Sequence, residues 1–274
     1  MIKMVLNTMT LQHYSGRAVR IEPDAQRLTR AFPWGRGRGS RFCPACLDAT
    51  GGRWQLRWRL GWTFACPSHN CLLADACPHC GAVQRRRTHI GDIIPLPGRC
   101  SHPAPDAIGR TPPRCGIDLT TAAVTSFDTD HPVIQAQRIV NTVLDRESVT
   151  FGIYQTLPQP RLSVLADIRA VAGRALAYAT PKDLEAVIPQ DLNRIYRATA
   201  EPADSRSGPA RTDTKPGLAA PARAATAAVG VVAAMTALDC PEVASAGDAL
   251  RWLVTTSRAR GLAVNATNIA WGKN

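Results

Sequence analysis

No run of apolar residues in this chain is long enough to cross a bilayer. The most apolar stretch, "AATAAVGVVAAMTAL" from Ala224 to Leu238, is mostly alanine and is closed off by Arg223 and Asp239. It falls short of the roughly 20 residues a spanning helix needs and reads as a buried helix. The opening "MIKMVLNTM" holds one lysine and no sustained apolar core, so it is not read as a signal peptide. The expectation is a cytoplasmic protein with no membrane partner. In that compartment thiols stay reduced, and paired cysteines favour metal or redox roles over disulfides. Enzyme signatures are lacking too. There is no HExxH helix, no GxxxxGK[ST] phosphate loop and no carboxylate cluster spaced for two-metal chemistry. The chain is therefore not read as an enzyme, and no residue is assigned a catalytic role.

Acidic residues are scarce at the front. Residues 1–115 hold 17 Lys+Arg against 6 Asp+Glu, in a chain whose whole net charge is +12. One lysine beside sixteen arginines reflects a compositional bias towards Arg. That bias explains Arg over Lys, but not Arg without matching acid, and the asymmetry points to a polyanionic partner for the front half.

Cysteine, by contrast, is concentrated. Six of nine cysteines fall in "RFCPACLDATGGRWQLRWRLGWTFACPSHNCLLADACPHCG", residues 41–81. Cys43-x2-Cys46 is followed after 19 residues by Cys66-x2-His69. Cys77-x2-Cys80 is followed after 19 residues by Cys100, and after 14 more by Cys115. Zinc takes four soft or borderline ligands in a tetrahedron, and a CxxC turn supplies two because its amides curl round the sulfurs. The spacing therefore predicts two structural zinc sites, one from Cys43, Cys46, Cys66 and His69, the other from Cys77, Cys80, Cys100 and Cys115. Cys71 is the near alternative to His69, and His102 could stand in for Cys115 across the long gap "SHPAPDAIGRTPPR". Proline follows the first cysteine in all three knuckles, "CPAC", "CPSH" and "CPHC", which ordinary core cysteines would not require. Four protein ligands leave no open position for water, so both zincs are expected to fold the segment and not to activate a nucleophile. Seven thiolates and two zinc ions would lower the front-half charge by about three, leaving it basic. Cys240 reads as a small core residue.

Between the first ligands lies "RWQLRWRLGWTF". Trp54, Leu56, Trp58, Leu60, Trp62 and Phe64 alternate with Arg53, Gln55, Arg57, Arg59, Gly61 and Thr63. Period two predicts a half-buried strand, although tryptophans at i, i+4 and i+8 also suit a short helix. The aromatics are expected to form the small core of the zinc module. Arg53, Arg57 and Arg59, with Arg36, Arg38 and Arg41 upstream and Arg85, Arg86 and Arg87 downstream, are candidates for a phosphate or acidic-partner contact.

From His131 the periodicity turns helical. Helices are predicted over 131–145, 161–179, 181–200, 220–238 and 243–260. The fold class is thus mainly α with small β zinc-ribbon-like modules, tandem zinc-binding motifs being followed by an all-helical C-terminal region. Its expected parts are a helical remnant and basic connector (1–39), a tandem zinc module (40–122), a helical region (130–199), a disordered linker (200–217) and a C-terminal helical segment (218–274). Loss of the first zinc site is expected to unfold the front half and leave the C-terminal helices intact.

The arrangement CPxCL…W.L.W…C..H..LL…CPxCG within residues 41–81 resembles the TniQ transposition proteins, in particular their actinobacterial branch. "RCGIDLTTA" (114–122), "HPVIQAQR" (131–138) and "ASAGDALRWLVTTSRARG" extend the resemblance more loosely. It implies a non-catalytic targeting adaptor that binds DNA, directly or through a target-site complex, and recruits a transposon AAA+ ATPase, in some members as a homodimer. It also implies helix-turn-helix units in the C-terminal part, and assigns the two predicted ligand sets to the family's two zinc motifs. Family members usually carry a longer helical region before "LNTMTLQHY", and "LAVNATNIAWGKN" reads as the entry to a further helix, so the resemblance implies truncation at both ends. The alternative is a freestanding zinc-finger transcription regulator, against which stands the lack of a CxxC-x12-HxxxH finger.

Overall fold

The fold is seen in a computed structural model that describes residues 8–22, 27–28, 33–86, 94, 96–109, 112–200 and 219–259. At the front, a 3-10 turn over Leu11–Tyr14 precedes the two-residue strands β1 (Ile21–Glu22) and β2 (Arg27–Leu28), paired antiparallel. Helix α1 (Pro44–Ala49) starts at Cys43, whose Sγ accepts from the Cys46 amide at 3.5 Å, and Pro44 sits where a missing N–H costs nothing. Strands β3 (Ala65–Cys66) and β4 (Cys71–Leu72) form a hairpin that sets Cys66 opposite Cys71.

Helix α2 (Pro132–Asp145) is capped by His131, whose side chain accepts from the Val133 amide at 3.2 Å. Val133, Ile134, Gln137, Val140 and Leu144 form its buried stripe. Strands β5 (Ser148–Val149) and β6 (Gln159–Pro160) pair antiparallel and lead into α3 (Arg161–Tyr178). Then come α4 (Pro181–Leu184), with a Thr180–Asp183 capping box, and α5 (Gln190–Ala200). The expected single helix over 181–200 is broken because Pro189 lacks an N–H; its carbonyl instead accepts the first bond of α5, from the Asn193 amide at 3.0 Å.

Helix α6 (Ala224–Leu238) is buried almost all round and packs on α3, α5 and α2. Alanine and glycine allow the close approach: a Cβ on Gly230 would lie 2.9 Å from Leu176 Cδ1 and 3.2 Å from Ala172 Cβ. The expected helix 243–260 is likewise two, α7 (Val243–Ala249) and α8 (Arg251–Ala259), meeting at Leu250. Cys240 is not a core residue; it lies partly exposed beyond α6, its thiol donating to the Thr236 carbonyl at 3.3 Å. The mainly helical fold with small two-stranded modules is as expected. No described helix is long and apolar enough to cross a membrane.

The strand expected over 54–64 is absent. Leu56–Arg59 forms a 3-10 turn, and the extended pairing begins only at Ala65. Trp58 is buried among Phe42, Leu47, Leu73, Leu119 and the clustered cysteines, whereas Leu60, Trp62 and Phe64 are buried in the helical core with residues of α2, α3 and α6. One segment thus serves two cores in turn. Where it crosses, the backbone packs closely: a Cβ on Gly61 would meet the Trp34 carbonyl oxygen at 2.2 Å.

The front and the helices are joined by two polar anchors. Gln137 of α2, fully buried, accepts through Oε1 from the Phe64 and Ala65 amides at 2.7 and 3.0 Å and donates to Asn141 at 3.0 Å. Arg41, also fully buried, donates to the Thr63 carbonyl at 2.7 Å, the Pro221 carbonyl at 2.7 Å and Asp75 at 3.1 Å. The Asp75 carboxylate in turn accepts from the Ala224 amide, at the start of α6, at 2.9 and 3.0 Å. Arg87, residues 1–7, the expected linker from 201 onward and "LAVNATNIAWGKN" lie outside the described residues.

Candidate metal centres and the basic surface around them

Two groups of four ligand atoms are brought together, each within 4.8 Å of one another: Cys43, Cys46, Cys66 and His69, and Cys77, Cys80, Cys100 and Cys115. In the first, α1 presents Cys43 and Cys46, and the β3–β4 hairpin presents Cys66 and His69. Cys46 Sγ lies 3.5 Å from Cys66 Sγ, and His69 Nδ1 lies 3.6, 3.2 and 3.5 Å from the sulfurs of Cys43, Cys46 and Cys66. A tetrahedral zinc with Zn–S of about 2.3 Å has S–S edges of about 3.8 Å and S–N edges of about 3.6 Å. The donor set therefore fits that ion, and sulfurs 3.5 Å apart are not disulfide-bonded. Cys71 Sγ stands 3.8 Å from Cys43 Sγ but outside the group of four.

In the second group, the turn after Cys77 is closed by the Gly81 amide on the Cys77 carbonyl at 3.0 Å, with Gly81 at φ +67°. The long insert doubles back on itself. Cys115 N donates to the His102 carbonyl at 2.7 Å, Gly116 N to the Cys100 carbonyl at 3.0 Å, and Pro103 bridges to Arg114. That return sets Cys115, not His102, with the other three sulfurs. Cys77 lies 3.8 Å from Cys115 and Cys80 3.6 Å from Cys100, again tetrahedral edges.

Burial and the adjoining Cys66 sulfur push the Cys46 thiol up to about 11. Its bond with Cys43, then burial, pushes Cys66 up to about 12. Sulfurs this close resist ionising together unless a cation sits among them, the condition a divalent ion meets. Amide donors ready to support thiolates are in place: Gln55 Nε2 lies 3.4 Å from Cys46 Sγ and Gln84 Nε2 3.4 Å from Cys100 Sγ.

The candidate arginines separate by role. Arg41 is given to the fold, since a guanidinium wrapped in carbonyls and a carboxylate has no surface to offer; burial lowers it to about 10, so it stays charged at neutral pH. Arg57 pairs with Asp145 of α2 at 3.6 Å and bonds the Tyr14 side chain. Arg38, Arg53, Arg85 and Arg86 are exposed, and Arg36 and Arg59 are half-buried. The guanidinium of Arg85 lies 4.6 Å from the ring centre of Trp54. Two groups that shape the site were missed by the sequence reading, Gln137 and Asp75. A glutamine on the apolar stripe of a predicted helix is the signal that could have found the first; nothing local marks the second.

With this geometry in view, the TniQ family model matches residues 1–73. The match holds the first ligand group whole and stops short of the second. No curated protein and no solved structure matches the chain.

Proposed function

Because the match over its first 73 residues supports membership of the TniQ family, a family of transposition-associated non-catalytic adaptors, we propose that this chain is a zinc-stabilised adaptor for target-site selection in DNA transposition. In this reading it engages DNA or a DNA-bound targeting complex and recruits the transposon's AAA+ ATPase. The observation that carries the reading is the pair of four-donor groups, Cys43, Cys46, Cys66, His69 and Cys77, Cys80, Cys100, Cys115. Four protein donors complete a tetrahedron, so a bound zinc supplies folding free energy and fixes neighbouring side chains. Reduced thiols of this kind suit the cytosol.

The chain's own residues supply the mechanics. With a metal held by the first group, Cys43 and Cys66 would tie α1 to the β3–β4 hairpin, while Gln137 docks that hairpin on α2 and Arg41 with Asp75 fixes the segment to α6. A rigid basic face is thereby held on a helical body. The test is a binding titration of the full chain against the AAA+ ATPase of the same element, with and without duplex DNA, with zinc measured on the same sample. Two zincs per chain and ATPase binding that DNA strengthens is the expected result. Selective binding to one duplex sequence with no affinity for the ATPase would replace the adaptor with a transcription regulator.

A further inference from the structure

Arg41 and Arg57 each pair with a carboxylate, Asp75 and Asp145, whereas Arg59 and Arg85 have none among the described residues. Arg59 closes the 3-10 turn between ligands Cys46 and Cys66, and its Nε is buried with no hydrogen-bond partner. Arg85 follows Gln84, whose side chain reaches Cys100 of the second metal group. The extended segment Ser40–Arg41 brings them together: Ser40 N donates to the Gln84 carbonyl at 2.8 Å and Arg41 N to the Trp58 carbonyl at 3.1 Å. The residues that follow Gln84 and Trp58 are these two arginines, close enough for the charge of Arg59 to add to the desolvation that lowers the pKa of Arg85. Partial desolvation disfavours both cations, though the side chain of Arg85 still reaches solvent, and no carboxylate of the described residues pairs with either.

Two further features make this an arrangement with a purpose beyond the fold. Arg85 has φ +53°, a left-handed conformation that a side chain of its size rarely adopts. Its guanidinium lies over Trp54, and that ring is pinned by a 2.8 Å bond from its Nε1 to Ser40 Oγ. Like charges, partly desolvated, one with an unpaired buried N–H and the other on a strained backbone, cost energy until an anion joins them.

We propose that Arg59 and Arg85 form a clamp for one backbone phosphate of duplex DNA, with one arginine supplied by each metal-bearing module. It rests on the adaptor reading in its DNA-contacting form and names the contact. Arginine forks match the free oxygens of a phosphodiester. The ligand is a phosphate in a polymer and not a lone acid because exposed Arg53 and Arg86 adjoin Trp54 and Arg85 in the chain, adding positive charge that a repeating anion can use. The clamp exists only while both modules are folded, so metal content and phosphate grip are linked.

The experiment is duplex binding by fluorescence anisotropy across a salt series, using zinc-loaded full chain and the variants Arg59→Gln, Arg85→Gln and both together. Zinc content and far-UV circular dichroism confirm that each is folded, and Arg59→Lys keeps the charge without the fork. Each glutamine variant is expected to lose affinity about tenfold, and the slope of log K against log salt to fall by about 0.9, one phosphate. The double variant should lose little more than either single one, because the two share a phosphate. Wild-type affinity and slope in the folded variants would overturn the clamp while leaving the adaptor reading intact. Competition by poly-glutamate as effective as by duplex DNA at equal charge would overturn the phosphate assignment. Absence of duplex binding by the folded wild-type chain would overturn it as well, with ATPase recruitment then judged on its own titration.

Discussion

Asp167 lies within α3 with its carboxylate accepting a 2.8 Å bond from the Tyr154 hydroxyl. Burial raises its pKa from 3.8 to about 6, against the opposing pull of that bond. The folded state thus holds this proton more tightly than the unfolded chain. The stability it contributes is complete below about pH 4 and is lost as pH rises through about 6. At neutral pH the buried charge is a net cost. Asp167→Asn keeps an acceptor for Tyr154 and removes the charge, so its melting temperature should exceed that of the wild type at pH 7, with the gap closing towards pH 4. A gap that does not change with pH would refute this account. At the same scale, the eight metal-ligand candidates were legible in the sequence, because CxxC spacing is a local constraint that a tetrahedron imposes. Arg41 was not. As a residue type it is indistinguishable from its exposed neighbours Arg38 and Arg53, and only the arrival of Asp75 and the Pro221 carbonyl from remote parts of the chain makes it a core residue.

At the scale of elements, α2 and the metal hairpin meet through Gln137, which behaves as a strand edge would, accepting from two successive amides of β3 and its approach. Gln137→Met keeps the volume but leaves the Phe64 and Ala65 amides buried and unpaired. The expected loss is about 3 kcal/mol of stability in denaturant unfolding, on the scale of two unsatisfied buried donors. A loss below about 1 kcal/mol would mean that the amides find other partners. The neighbouring tryptophan segment shows why the strand expectation failed. Alternation of apolar and polar residues usually means one sheet with one wet face. Here Trp58, carried on the 3-10 turn Leu56–Arg59, is buried in the metal-bearing core, and Trp62, just beyond that turn, in the helical one. Burial into two cores in succession reproduces period two without any sheet. The breaks in the helices predicted over 181–200 and 243–260 were partly legible, since Pro189 is visible in the sequence, whereas Leu250 carries no breaking signal of its own.

For the whole molecule, the question is whether the metal-bearing front and the helices fold as one. Their sequence signatures are separate, which led to the expectation that C-terminal helices outlast the zinc sites. The packing says otherwise. Trp34, Leu60, Trp62 and Phe64 share one continuous core with α2, α3 and α6. The carboxylate that accepts from the first amide of α6 is Asp75, two residues before ligand Cys77. Without metal, the sulfur groups lose the cation that offsets their crowding, and the segments bearing Phe64, Thr63 and Asp75 lose their fixed positions. Gln137, Arg41 and the start of α6 would then be left with buried polar groups unpaired, each a cost of about 1–3 kcal/mol. Metal-loaded protein should therefore melt in one transition by both near-UV and far-UV circular dichroism, and a zinc chelator should lower the far-UV midpoint together with the near-UV signal. The same coupled shift is expected for Cys43→Ser. If the far-UV melt stays where it was while the near-UV signal is lost, the helices fold on their own and the shared core contributes little to cooperativity.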